Sequence, residues 1–248
     1  MTEAYAFGFL LLFVLFLVFH NLRLRRQDPS QAPLREIEAL RNLPETVGEA
    51  VESGRRLHLS LGSGQIGQTD TATTLAGLTA ASLIASVAVV SDKPPVITSA
   101  DGAAMMLAQD VLKQVYKQQN AADRYDGDAA RVVGLTPMAF ATALTPLIKD
   151  EAVAGNVLIG PVGPEAILLT EAASRARVTT IAGSDNPAAQ AVLFAAADHP
   201  VVGEDVYAVS AYLGRSRAHV ASLRAQDGMR FVLALVIIVG VIWNSLAP

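Results

Sequence analysis

Three glycines spaced as G-x-G-x-x-G, Gly62, Gly64 and Gly67, follow an alternating strand-like segment in "LHLSLGSGQIGQTD", residues 57–70. In a dinucleotide-binding turn the same spacing lets backbone approach a pyrophosphate at a helix N-terminus. Two further requirements go unmet. The helix should open directly at the glycines, and an acidic residue should close the second strand about 20 residues on, whereas the nearest acidic candidate, Asp101, lies much further along and the helix is long. No lysine follows the glycines, which argues against a Walker-type phosphate loop. The competing role is conformational: glycine permits a tight turn and a close approach of helix to sheet.

Other polar residues fall at expected strand ends: Ser63, Gln65, Ser99, Asp101, Thr136, Glu165, Ser184, Asp185 and Asn186. In an open parallel α/β sheet the loops after the strands gather on one edge, where ligands bind. The candidate ligand-binding set is therefore Gly62, Ser63, Gly64, Gln65, Gly67, Ser99, Asp101, Glu165, Ser184, Asp185 and Asn186. Backbone N–H groups of residues 64–67 would hold an anion, and Asp101 or Asp185 would take a hydroxyl. Asp101, Glu165 and Asp185, if brought together, would suit a divalent cation or a general base. Each of these residue types also serves as a helix cap, the commoner use for any one of them. Neither a catalytic set nor a metal site is assigned, and no cofactor is specified. His20, His58, His199 and His219 are too scattered for a local metal site, and the absence of cysteine removes thiolate ligands, thiolate nucleophiles and disulfides.

Alternating strand and helix patterns must position these residues. Strands are expected at 57–61, 95–99, 131–135, 156–160 and 178–182, with helices at 71–90, 103–118, 137–152, 164–173 and 187–196. Thr136-Pro137, Gly163-Pro164 and Asn186-Pro187 each place a tolerated cap before a first-turn proline. The fold class is α/β, a Rossmann-like doubly wound parallel sheet of about five strands flanked by an N-terminal and a C-terminal transmembrane helix. "LSLGSGQIG" and "VLIGPVGPE" suggest two βαβ halves, which would make the first and fourth strands neighbours.

Residues 4–19 carry no charge and are followed by Arg23, Arg25 and Arg26, the pattern of a retained anchor and not of a cleaved signal peptide. Residues 231–243 form a second, shorter apolar run with Trp243 near its end. Arg215, Arg217, Arg224 and Arg230 precede it, so the positive-inside rule puts the intervening chain in the cytoplasm. The expected organisation is an anchor at 1–22, linker and short helices at 23–55, a cytoplasmic domain at 56–203, juxtamembrane helices at 204–228 and a second span at 229–248. Residues 28–33, "DPSQAP", read as linker; short helices are expected at 34–40 and 44–51. Tyr207, Tyr212, Arg215, Arg217, His219 and Arg224 suit an interfacial stretch, and Asp227-Gly228 is expected to bend the connection to the span.

Residues 71–91 are also uncharged, but they follow a strand directly, and a third crossing would move the later strands to the other side of the membrane. Ala76, Gly77, Ala80, Ala81, Ala85 and Ser86 would let another backbone approach, either that of a neighbouring subunit or membrane helix or that of the chain's own domain. With 52% hydrophobic residues, 17% charged and a net charge of -4, the chain has no basic field to collect nucleic acid.

"LGSGQIGQTD", "TSAD" (residues 98–101) and the C-terminal span together resemble a bacterial family of uncharacterised, membrane-anchored proteins carrying a domain of unknown function. The resemblance covers most of the chain and implies architecture only; no functional residue carries over. The expected function is a cytoplasm-facing membrane scaffold or accessory subunit, partnered with the membrane and with copies of itself or a larger membrane complex. The alternative is a nucleotide- or anion-binding module or enzyme working at the strand-end edge.

Overall fold

The computed structural model describes residues 2–24, 36–91, 93–214 and 217–246. Helices, in chain order, are α1 (Thr2–Leu24), α2 (Glu38–Arg41), α3 (Leu43–Glu52), α4 (Thr71–Ala88), α5 (Gly102–Gln118), α6 (Pro137–Asp150), α7 (Ala166–Arg175), α8 (Pro187–Ala196), α9 (Asp205–Gly214) and α10 (Arg217–Leu246). The strands are β1 (Arg56–Ser60), β2 (Val96–Ser99), β3 (Ala130–Val132), β4 (Val153–Ile159), β5 (Thr179–Gly183) and β6 (His199–Val201). Two compact units result, Glu36–Leu213 and a unit made from the chain ends, Met1–Arg35 with Gly214–Pro248. The linker expected at 28–33, and Arg25, Arg26 and Arg215, lie outside the described residues.

Glu36–Leu213 is built on a single all-parallel sheet in the order β3-β2-β1-β4-β5-β6. This is the doubly wound order. The first and fourth strands are neighbours, with His58 opposite Asn156 and Ser60 opposite Leu158. The sheet has six strands, one more than expected. The extra strand, "HPV", is too short to show a period, and proline argues against a central strand; at the sheet edge Pro200 is tolerated beside Ala182.

Helices cover both faces, so the central strands are buried nearly throughout. α4 and α5 pack side by side, with α3 against α4, while α6, α7 and α8 form a second row. Beneath that second row lies a core containing Phe140, Leu144, Ile148, Leu158, Leu169, Ala182 and Leu193. Thr136 and Asn186 cap α6 and α8, accepting bonds from Ala139 N (3.3 Å) and Ala188 N (2.9 Å) ahead of first-turn prolines. The Gly163-Pro164 start is corrected: α7 begins at Ala166, because Glu165 bonds back to Gly163 N at 2.7 Å and closes a turn that includes Pro164.

Gly77 of α4 faces its own sheet. A Cβ on Gly77 would lie 1.9 Å from the Ile159 carbonyl oxygen, and Ala80, Ala81, Ala85 and Ala88 are buried. The backbone that Gly77 admits is therefore that of β4 and not of a neighbouring subunit. Leu75 and Val87 form part of the helix's exposed side.

In the unit of the chain ends, α1 and α10 run antiparallel. Leu24 clusters with Val220 and Ala221, and the Phe16 ring lies where a Cβ on Gly228 would be, 2.9 Å away. α10 continues unbroken through Asp227 and Gly228, contrary to the expected bend. Gly228 makes room for Phe16, and Asp227 pairs along the helix with Arg230 at 3.2 Å, an i,i+3 contact that helical geometry favours. Among the described residues, three helices are long and apolar enough to cross a membrane: Ala6–Leu24, Thr71–Ala88 and Arg217–Ile242. Half of the middle one is buried, against 6% and 11% for the other two, in keeping with its place on the sheet.

Candidate functional site

At the crevice where strand order reverses, between the ends of β1 and β4, the glycine loop meets Pro161. Gly62 has a φ of +79°, and a Cβ there would come 2.3 Å from the Pro161 carbonyl oxygen; at Gly64 it would come 2.2 Å from Pro161 Cγ. Ser63 donates its N–H to the Pro161 carbonyl at 2.8 Å, and its hydroxyl donates to the same oxygen at 3.4 Å. Gly160 is equally confined, since its Cβ would fall 2.1 Å from the Leu61 carbonyl oxygen. The two loops are thus packed on each other, with backbone and a proline ring occupying the space that Gly62 and Gly64 leave.

Gly67 plays neither of these parts. Its φ is +93° with nothing within 4 Å of a built Cβ, and α4 starts only at Thr71. In the dinucleotide fingerprint the third glycine brings helix and strand together; here Gly77 does so. Gly67 donates its N–H to Thr71 Oγ1 at 2.8 Å, and Ile66 donates to Asp101 Oδ2 at 3.2 Å. Three N–H groups of the loop, those of Ser63, Ile66 and Gly67, therefore already have acceptors within the chain. Gln65 is exposed at the loop's tip.

Apart from Asp185, the remaining candidate strand-end residues separate into three local arrangements. Asp101 caps α5, accepting from Ala104 N at 3.0 Å with the oxygen that also accepts from Ile66, and Ser99 Oγ accepts from Asp101 N at 3.1 Å. Glu165 belongs to the turn before α7. Ser184, fully buried, joins the loops after β4 and β5: it accepts from Val162 N and donates to the Val162 carbonyl, both at 3.2 Å, and accepts from Asn186 N at 3.3 Å. Asp101, Glu165 and Asp185 are not brought together, and no group of three acidic or histidine side chains able to hold a metal occurs among the described residues.

Asp185 has a different setting. Thr73, from the first turn of α4, donates to Asp185 Oδ2 at 2.6 Å; Tyr207, from the first turn of α9, donates to the same oxygen at 3.3 Å and lies 2.8 Å from Thr73 Oγ1. Thr73 is buried and Tyr207 is 39% exposed, so the cluster reaches solvent through the phenol. The sequence placed Asp185 at the edge but gave no reason to bring Thr73 and Tyr207 to it.

A second polar arrangement lies inside the sheet. His58 Nδ1 is 2.7 Å from Asn156 Oδ1, His58 Nε2 is 2.8 Å from Thr98 Oγ1, and Asn156 Nδ2 donates to Thr180 Oγ1 at 3.4 Å. These bonds join β2, β1, β4 and β5 through buried side chains. Burial lowers the His58 pKa to about 4, opposed by the Asn156 bond and assisted by the positive charge of Arg131. The network makes the neutral tautomer clear: Nδ1–H donates to Asn156 and Nε2 accepts from Thr98. The available signal was Asn156, the one polar residue of β4, whereas His58, Thr98 and Thr180 lie in strands with other polar residues.

A family model described as "Domain of unknown function (DUF6754)" matches residues 2–247, and the chain belongs to that family. Comparison with curated proteins and with solved structures gave no match.

Proposed function

We propose that this DUF6754 protein is a two-pass membrane protein whose Glu36–Leu213 unit faces the cytoplasm and serves as a scaffold or accessory subunit, self-associating or joining a larger membrane complex. The observation that carries this reading is the occupied crevice. Pro161 and the backbone around it fill the space beside Gly62 and Gly64, at the position where a doubly wound sheet ordinarily takes its ligand.

The membrane part rests on α1 and α10. Both are long and apolar, with little of either span buried within the protein. Arg23 ends α1, and Arg217, Arg224 and Arg230 occupy the first half of α10, so the positive-inside rule favours a cytoplasmic position for the chain between them. α4 is assigned to the sheet layer, because crossing the membrane would require stripping Gly77 from β4.

A second reading retains a small ligand. The partly exposed Asp185–Tyr207 pair supports it, since a carboxylate and a phenol at a strand-end edge suit a hydroxyl-bearing molecule. The native mass of protein extracted gently from its own membrane, with small molecules and accompanying chains identified in the same sample, separates the two. A homo-oligomer or mixed complex without a small molecule is expected. A stoichiometric bound molecule on a monomeric chain overturns the scaffold reading and directs attention to Asp185.

A further inference from the structure

The two helices of the chain-end unit are out of step in polarity. Leu24 of α1 clusters with Val220 and Ala221 of α10, and the Phe16 ring lies 2.9 Å from where a Cβ on Gly228 would be, so eight positions along α1 match eight along α10. By that register Asp227 stands level with about Leu17 and Arg230 with about Val14. Residues 4–22 of α1 include no Asp, Glu, Lys or Arg, and Arg23 is the first charge after them. At about 1.5 Å of rise per residue, Arg230 is therefore about 13 Å, and Asp227 about 9 Å, deeper along the pair than Arg23. Both side chains face out of the pair: Asp227 is 63% exposed and Arg230 47%, and they lie 3.2 Å from each other. No placement of the membrane surface suits both helices. Drawn at Arg23, it puts Asp227 and Arg230 in hydrocarbon, where ionisable side chains face the interior of a helix bundle and not lipid; Asp227, with a single methylene, is too short to reach back to water. Drawn at Arg230, it leaves the exposed Val14, Leu15, Val18, Phe19 and Leu22 of α1 in water.

We propose that the Asp227–Arg230 face of α10 is the contact between two copies of this chain in the membrane, with Asp227 of each copy against Arg230 of the other. Copies of one chain enter a membrane in the same orientation, so their α10 helices meet parallel, and a two-fold axis along the membrane normal brings the same patch of each together. On such a contact the acid and base of one helix are the base and acid that the other requires. Their offset of three residues, about 4.5 Å along the axis, is within reach of an arginine side chain. The four charges balance and are enclosed between helices, which is how charged side chains persist at this depth. A different membrane protein would have to bring both an acid and a base to matching depths, whereas a second copy has them by symmetry. The inference rests on the two-span reading proposed above and names the surface through which its self-association occurs.

The test uses the full chain in membranes of the expressing cell, with Phe231→Cys as its one thiol, since the chain has no cysteine. Phe231 is 79% exposed and stands one turn beyond Asp227, on the same side of the helix. Oxidation with copper phenanthroline is expected to link two Phe231→Cys chains into a dimer. Adding Asp227→Arg, which makes both positions basic, or Arg230→Asp, which makes both acidic, should lower the dimer yield about tenfold or more, because like charges then meet across the contact. Co-expression of these two variants, told apart by tags of different size, should restore a mixed dimer to within about twofold of the original yield, with neither like pair recovered. Each variant carries like charges along its own helix, so a purely intrahelical role for the pair predicts no such rescue. Rescue also shows that both variants insert and fold.

An undiminished dimer in either charge variant, or no mixed dimer on co-expression, overturns the proposal. So does a Phe231→Cys product whose mass is that of this chain joined to a different protein in place of the dimer. Release of the chain from the membrane by alkaline carbonate would overturn the two-span reading instead, whatever the crosslinking gives.

Discussion

Replacing Gly64 with alanine isolates the claim that the glycine loop exists to admit Pro161. Gly64 has no left-handed φ, so alanine there is conformationally permitted and its effect comes from space alone. The new Cβ would fall 2.2 Å from Pro161 Cγ, 2.9 Å from Pro161 Cβ and 2.9 Å from Asp70 Cβ, where carbon atoms in contact prefer about 3.5–4.0 Å. Overpacking of this kind costs about 1–3 kcal/mol. For a unit the size of residues 36–213, with a shift of about 2–4 °C per kcal/mol, melting should fall by about 2–12 °C. Pro161→Ala removes the atom in the closest clash but leaves a Cβ, so the double variant should recover about 1 kcal/mol relative to the sum of the single changes. The assay is thermal unfolding of the full chain in nanodiscs by far-ultraviolet circular dichroism, with hydrogen exchange at β1 and β4 to locate the loss. A neutral Gly64→Ala, or single effects that add to within about 0.5 kcal/mol, would refute the packing argument and reopen the crevice as a site.

The other predictions concern the interior of the sheet and the helix pair. His58 has a folded pKa of about 4, pushed down by burial from the ordinary histidine value of 6.5, so between those values the unfolded chain takes a proton that the folded chain refuses. Its contribution to stability is present above about pH 6.5 and is lost as pH falls through about 4, by roughly 3 kcal/mol in all. The unfolding free energy measured from pH 7.5 to 4 should therefore fall more steeply in the native chain than in His58→Gln, and identical slopes would contradict the assignment. Gly228→Leu should separate α10 from α1, because Phe16 already lies within 3.0 Å of any added Cβ. Crosslinking of Leu24→Cys to Ala221→Cys by a bifunctional thiol reagent should then drop severalfold, and an unchanged yield would show that Phe16 does not hold the pair together.

Much of the scaffold was legible in the chain because it depends on local signals: strand-helix alternation, Thr136 and Asn186 before prolines, and uncharged runs at each end. The doubly wound order followed from the similarity of the segments after Leu59 and Val157, and β1 does pair with β4. What was not legible depends on partners distant in sequence. β6 becomes a strand by pairing with β5. The His58 network requires β2, β1, β4 and β5 to be in register, and the Asp185 cluster needs α9 to bring Tyr207 to Thr73. Gly228, read as a hinge, proved to be a contact, because a helical glycine can serve either purpose and only the neighbouring helix decides which.

The same ambiguity explains why G-x-G-x-x-G misleads in this chain. Glycine is required wherever backbone must come close to something, and the spacing does not say to what. In a dinucleotide site the second glycine faces a pyrophosphate and the third faces its own strand. Here the second faces Pro161, and the third lies open, four residues before its helix starts. That delayed start changes the chemistry. A helix beginning at the glycines would direct unbonded N–H groups into the crevice, whereas the longer loop turns Ile66 toward Asp101 and Gly67 toward Thr71. A sequence in which Pro161 follows its strand by a single glycine, and Thr71 rather than Gly67 opens the helix, therefore has the requirements of a closed crevice written into it.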